Sequence, residues 1–201
     1  MKARSIILDK VRNSKPSFIP LDDIKYSSMV CRTDRNNWWS QFRALAETVG
    51  ASVIRLDSQH DFQQFIDEYC EGQAIVNLYH HPDAPTLMPL DNTDLALIQS
   101  AVMPAAFAVA ENGALWLSEK QMGIRVLPFI CEQLVLVVNE REIVANMHEA
   151  YERITGDLEG FGVFIAGPSK TADIEQSLVI GAHGPKSLTV VILGNGGSDP
   201  A

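Results

Sequence analysis

Residues 51–78, ASVIRLDSQHDFQQFIDEYCEGQAIVNL, decide the fold. Ala51 to Leu56 is a short run centred on Val53 and Ile54, the pattern of a strand. Ser58 and Asp61 follow with the spacing of a capping box, Asp standing where Glu is usual. Phe62, Phe65, Ile66 and Tyr69 then share one helical face. Gly72 closes that helix, and Ala74 to Leu78 is again a strand. Parallel neighbours need a crossover between them, so strand, helix and strand in succession predict a parallel sheet covered by helices.

Upstream, Ser5 to Asn13 reads as a short helix and Pro16 and Pro20 mark a linker. Tyr26 to Cys31 could form a strand. Asp34 is a plausible N-cap for a helix carrying Trp38, Phe42, Leu45, Ala46 and Val49, which Gly50 ends. Downstream, residues 79–91 hold Pro82, Pro85 and Pro89 and read as a loop, followed by a helix from Asn92 to about Ser100. Phe107–Ala110 and Ala114–Leu117 flank Asn112-Gly113, a hairpin signal because both residues tolerate positive φ. Leu134–Val138 is a buried strand, and Ile143, Met147, Ala150 and Ile154 mark a helix. Val163–Ala166 reads as a strand, Thr171–Ile180 as a helix ended by Gly181, and Leu188–Leu193 as a last strand.

The expected fold class is α/β, a mostly parallel sheet flanked by helices. Its strands are expected near 51–56, 74–78, 134–138, 163–166 and 188–193. Residues 1–25 form an N-terminal helix and linker, 26–194 a single domain, and 195–201 a flexible tail.

The chain has 201 residues, enough for one domain with its own core, and 46% of them are hydrophobic. Its net charge of −9 repels phosphate backbones, which argues against nucleic-acid binding. The apolar run Ala101–Ala110 contains Pro104 and is short of a membrane span, and Ile6-Ile7-Leu8 is too short for a signal peptide. A soluble, cytoplasmic protein without membrane insertion is expected. Cys31, Cys70 and Cys131 are far apart and make no C-x-x-C pair, so a cysteine-ligated cluster is excluded on spacing and buried thiols are the plainer reading. No dinucleotide, Walker A, nucleophile-elbow or zincin motif occurs, so no cofactor is expected.

The segment richest in chemistry is Gly167-Pro168-Ser169-Lys170-Thr171, between a strand and a helix. Free N–H groups at a helix start attract anions, and Lys170 adds charge. The competing reading is that Ser169 or Thr171 caps the helix while Asp173 and Glu175 complement its dipole. The loop Gly181-Ala182-His183-Gly184-Pro185-Lys186 brings His183, which could be an acid, a base, an anion contact or simply exposed. Glu111, beside the Asn112-Gly113 turn, could project into a cleft as a nucleophile or base, or the turn could be only a hairpin. His80-His81-Pro82-Asp83 suggests a metal, but adjacent histidines in an extended loop point apart and fit a surface loop better. The candidate set is therefore Glu111 and His183 for catalysis. Asn112, Gly113, Gly167, Ser169, Lys170, Thr171, Gly184 and Lys186 are the binding candidates, and no residue is assigned to a metal. Glu111, Ser169, Lys170, Thr171, His183 and Lys186 are expected to line one cleft at the carboxyl edge of the sheet.

Several blocks resemble one family. GPSKTADIEQSLVIGAHGPKSLTVVIL, residues 167–193, is similar to the C-terminal signature of the lactate-utilisation (LUD) family. AFAVAENGALWL, residues 106–117, resembles its middle motif, and LPFICEQLVLVV, residues 127–138, the segment that follows. SIILDKVRNS, residues 5–14, resembles the opening helix of its C-type members. The middle motif usually reads Ala-Glu-Thr-Gly-Thr; here Asn112 and Ala114 replace the threonines, while Glu111 and Gly113 are kept. The resemblance implies a NagB/RpiA/CoA-transferase-like fold and a role in L-lactate oxidation. There the chain would be a non-redox subunit beside iron–sulfur partner subunits, with a small anionic ligand. The alternative is a stand-alone acyl- or CoA-transferase-like enzyme using Glu111, because Glu111-Asn112-Gly113 spells the Glu-Asn-Gly of related CoA transferases. Whether the chain is itself an enzyme stays open between these two.

Overall fold

Alternate residues of one strand, Gln133–Asn139, face two different cores, and the rest of the fold follows from that. Leu134, Leu136 and Val138 pack with Phe42 and Ala46, whereas Val135 and Val137 pack with Phe62 and Ile66. A run apolar at every position is what a strand covered on both faces requires. The computed structural model describes residues 2–17, 37–70, 75–79, 95, 97–155, 160–170, 180, 181 and 183–194.

The chain divides into a unit of residues 1–32 and a unit of residues 33–201. The first contains helix α1, Lys2–Asn13, whose Ile6, Ile7, Leu8 and Val11 are all exposed.

In the second unit the elements run α2 (Trp38–Thr48), β1 (Ser52–Leu56), α3 (Gln59–Cys70), β2 (Ile75–Asn77), β3 (Ser100–Pro104), β4 (Phe107–Val109) and β5 (Ala114–Ser118). Then come α4 (Glu119–Met122), α5 (Leu127–Ile130), β6 (Gln133–Asn139), β7 (Ile143–Val144), α6 (Met147–Thr155), β8 (Gly162–Ile165) and β9 (Ser187–Leu193). β1, β9, β6, β3 and β2, in that order, form an all-parallel sheet. α2 covers one face and α3 the other, as the 51–78 pattern predicts. Ser58 accepts the Asp61 N–H at 3.0 Å, half of the expected box, and Gly50 leaves α2 at φ +96°.

A second sheet has the order β7-β4-β5-β8. Its β4–β5 hairpin turns at Asn112-Gly113 as expected, with Gly113 at φ +70°. Ala108, Leu115, Leu117 and Ile143 join the α2 core, while Phe107, Val109 and Val144 pack against Ala150 and Ile154 of α6.

Three expectations are corrected. The strand near 163–166 is β8, and it pairs antiparallel with β5 in the second sheet rather than in the parallel one. Trp116 opposite Phe164, ring centroids 4.6 Å apart, holds that register. The helix expected to reach Ser100 gives way there to β3, where Ser100 to Met103 are fully buried. Pro104 ends β3 beyond the last residue paired with β2, where its missing N–H costs no ladder bond. The helix expected from Ile143 starts only at Met147, since Ile143 and Val144 reach the core from strand β7. The elements expected at Tyr26–Cys31, Asp34, Gly72, Asn92 and Thr171–Val179, and the tail 195–201, lie outside the described residues.

Candidate functional site

β6 and β9 are parallel and in register from Gln133 opposite Ser187, so the residues just before them lie side by side. Lys186 donates its backbone N–H to the Glu132 carbonyl at 2.7 Å. Its Nζ meets the Glu132 carboxylate at 2.9 Å, both side chains more than half exposed. A loop that precedes a strand sits at that strand's start. The 183–186 loop therefore lies at the amino edge of the parallel sheet, not at the carboxyl edge expected from the fold class.

The Gly167–Lys170 segment is tied to the same corner. Ser169 donates its N–H to Pro185 O at 2.9 Å and accepts from Gly181 N at 3.0 Å, and Lys170 bridges Ile180. A Cβ on Gly184 would lie 3.0 Å from the Ser169 Cβ, so these two loops are in contact. Lys170 Nζ donates to Val49 O, at the end of α2, at 2.6 Å. Gly167, at φ +76°, has its Cα against the same Val49 carbonyl, where any side chain would collide. His183 is exposed in this corner; Thr171 is outside the described residues.

The Glu111 turn is held differently. Asn112 Oδ1 accepts the Ala114 N–H at 3.0 Å, so that side chain is spent on the turn. Glu111 is exposed, and its Oε2 accepts the Met147 N–H at 3.2 Å, capping the start of α6. Leu115 pairs with Ile165, which sets the hairpin turn and Gly167 at one end of the second sheet. Gly113 abuts Leu45 and Ala46, and Gly167 abuts Val49, so both turns meet the second half of α2.

Two features escaped the sequence reading. The first is a cleft of about 300 Å³ at the carboxyl edge, lined by Tyr79, Pro104, Ala105, Val137, Val138, Asn139, Glu142 and Leu193. Its polar groups are engaged: Asn139 Oδ1 accepts from Arg141 N at 3.0 Å, and Glu142 pairs with Arg153 at 2.5 Å. Its residues come from the ends of separate strands, so no single stretch of sequence signals it. The second is Asn146, 7% exposed, the N-cap of α6. Its Oδ1 accepts the Glu149 N–H at 3.1 Å, and Glu149 Oε2 accepts from Ala145 N at 3.0 Å. Asn-x-x-Glu at 146–149 is a variant of the capping-box pattern and could have been read.

Cys131 is 1% exposed, and burial pushes its thiol up to about 12, so it holds its proton and is a poor metal ligand. Among the described residues no three His, Cys, Asp or Glu side chains are grouped to hold a metal, and no helix is long and apolar enough to cross a membrane. The His80–Asp83 segment is outside the described residues.

The LUD domain family model matches residues 91–193, just over half of the chain. The chain belongs to the LUD-domain family. Every candidate residue from Glu111 to Lys186 lies within the matched LUD segment. The chain is 32% identical over 109 residues to Lactate utilization protein C of Deinococcus radiodurans, covering 53% of this chain and 51% of that protein. It is 28% identical over 158 residues to Lactate utilization protein C of Bacillus pumilus, covering 73% and 64%. This LUD-domain chain thus spans about half to two thirds of the length of these relatives. The crystal structure of a DUF162 family protein from D. radiodurans shares the fold, with a TM-score of 0.63 at 21% identity, over 81% of this chain and 99% of that one. The α/β architecture with its parallel sheet agrees with the NagB/RpiA-like expectation.

Proposed function

We propose that this LUD-domain chain serves lactate utilisation as a non-redox subunit of an L-lactate oxidation system, beside iron–sulfur partner subunits. The observation that carries this reading is its similarity to relatives named Lactate utilization protein C, beside a LUD-domain match over residues 91–193. Oxidising lactate to pyruvate releases two electrons, which need carriers. The three cysteines lack cluster spacing, and Cys131 is a buried neutral thiol, so the reading assigns the carriers to partners.

A small anionic ligand is proposed at the amino-edge corner, where Ser169, Lys170, His183, Gly184 and Lys186 are candidate contacts. Lys170 gives one of its three donors to Val49 O, and among the described residues the other two stay open to a ligand. Lys186 can turn from its exposed partner Glu132 at little cost, because such surface pairs are weak. The transferase alternative requires Glu111 as nucleophile, and its carboxylate would first have to leave the Met147 N–H at the start of α6.

Deleting the gene in its native host tests the reading. Growth on L-lactate should be lost while growth on pyruvate persists, and the tagged chain should copurify with iron–sulfur proteins from lactate-grown cells. Unimpaired growth on L-lactate, or purified chain alone oxidising lactate, overturns it.

A further inference from the structure

The geometry points to the start of α6 as a binding site for the carboxylate of a small organic acid, a site that Glu111 fills from within the chain. Three observations meet there. α6 has nine residues, and the first turn of a helix of that length presents N–H groups and partial positive charge. Met147 N–H, in that turn, already holds a carboxylate, that of Glu111, at 3.2 Å. Asn146 is more than nine-tenths buried, and its Nδ2 has no hydrogen-bond partner among the described residues.

The orientation of the Asn146 amide is not arbitrary. Its oxygen accepts the Glu149 N–H at 3.1 Å, and a nitrogen in that place would set donor against donor. Nδ2 is thus fixed as the unpaired donor of the N-cap residue. A buried donor left without an acceptor is rare and calls for an explanation. Glu111 reaches Met147 with one oxygen and does not reach Asn146, so it satisfies one of two donors. Nδ2 is sealed from solvent as the chain stands, so the acid binds there only once Glu111 has swung away, its two oxygens then taking Met147 N–H and Asn146 Nδ2 together. Glu149, the carboxylate in the first turn of α6, is turned back on Ala145 N–H at 3.0 Å.

Glu111 is therefore a competitor that an acid must displace. Its hold is a single long hydrogen bond from an exposed side chain, so exchange costs little. The inference rests on this geometry and not on the lactate reading. Acids other than lactate that bind here sustain it, while the growth test above judges the other reading.

The test uses the full ¹⁵N-labelled chain, titrated with L-lactate, pyruvate and acetate, and with neutral lactamide as control. The Asn146 side-chain amide and the Met147 backbone resonance should shift with at least one carboxylate and not with lactamide. Glu111→Ala should tighten that binding roughly 2- to 5-fold, the usual worth of a charge at a helix start. Asn146→Asp keeps the capping oxygen, so the helix still forms, but it removes the donor and should abolish binding. Three results overturn the site: no carboxylate moves these resonances, Glu111→Ala leaves affinity unchanged, or Asn146→Asp binds as well as the wild type.

Discussion

Gly113→Ala measures how tightly the hairpin turn is set against α2. Gly113 sits at φ +70°, where a side chain costs about 1–2 kcal/mol. A Cβ there would also lie 2.6 Å from Ala46 N, 2.8 Å from Ala46 Cα and 3.0 Å from Leu45 C. All three are helix backbone and cannot swing away, so α2 or the hairpin must shift, at about 1–3 kcal/mol for such overpacking. Together the loss is about 2–5 kcal/mol, a large share of the roughly 5–15 kcal/mol that folds a typical domain. Urea unfolding followed by the fluorescence of Trp38, Trp39 and Trp116 reads it directly. Gly113→Asn separates the two causes, because Asn tolerates positive φ but still carries a Cβ. Asn should recover about 1 kcal/mol and remain well below the wild type. If Gly113→Asn unfolds within about 0.5 kcal/mol of the wild type, the close approach to α2 is not a constraint and the reasoning fails.

Leu136→Ala empties a fully buried position in the central strand and should cost about 2–5 kcal/mol in the same assay, whereas a loss under 1 would contradict the packing. Cys131 holds its proton up to about 12, while an unfolded thiol ionises from near 9; stability should be level below pH 9 and fall between pH 9 and 12. Cys131→Ala should flatten part of that fall, and peptide mapping should find Cys131 unalkylated in native protein at pH 8. Lys186→Ala should change stability by under about 0.5 kcal/mol, because both members of its pair with Glu132 are largely exposed; a larger loss in urea unfolding would mean the pair holds the corner. Arg125 beside Glu119 holds that carboxylate below its usual range, and Arg125→Ala should raise its NMR titration midpoint.

The parallel sheet was readable because Leu134–Val138 is apolar throughout and because residues 51–78 alternate strand and helix periods. The hairpin was readable because Asn112-Gly113 has few other uses. The sheet to which Val163–Ile165 belongs was not, since four apolar residues look the same beside a parallel or an antiparallel neighbour. Ile143 misled for a related reason: it reaches the core from a strand at a spacing that a helix would also give. Two of the three candidate loops touch, Ser169 bonding Pro185 and Gly181, but at the amino edge of the sheet, while Glu111 bonds the start of α6. The strand-end rule points to the carboxyl edge, but His183 and Lys186 precede β9 and so lie where that strand begins. The cleft and the Asn146 donor depend on which strand ends and which helix start are neighbours, and only the tertiary structure gives that.

The position of β9 also governs how the chain can assemble during synthesis. β1 pairs with β9, and β9 joins it to β6, so among the described strands β1 has no partner until Ser187–Leu193 has been made. Some 130 residues separate Leu56 from Ser187. At roughly 5–20 residues per second, the ribosome leaves β1 waiting about 7–26 seconds. Throughout that interval the face that α2 and α3 will share with β9 is incomplete, and Val190, Val191 and Ile192 do not yet exist to fill it. A nascent chain with an open apolar edge of this kind is a natural client for a ribosome-bound chaperone.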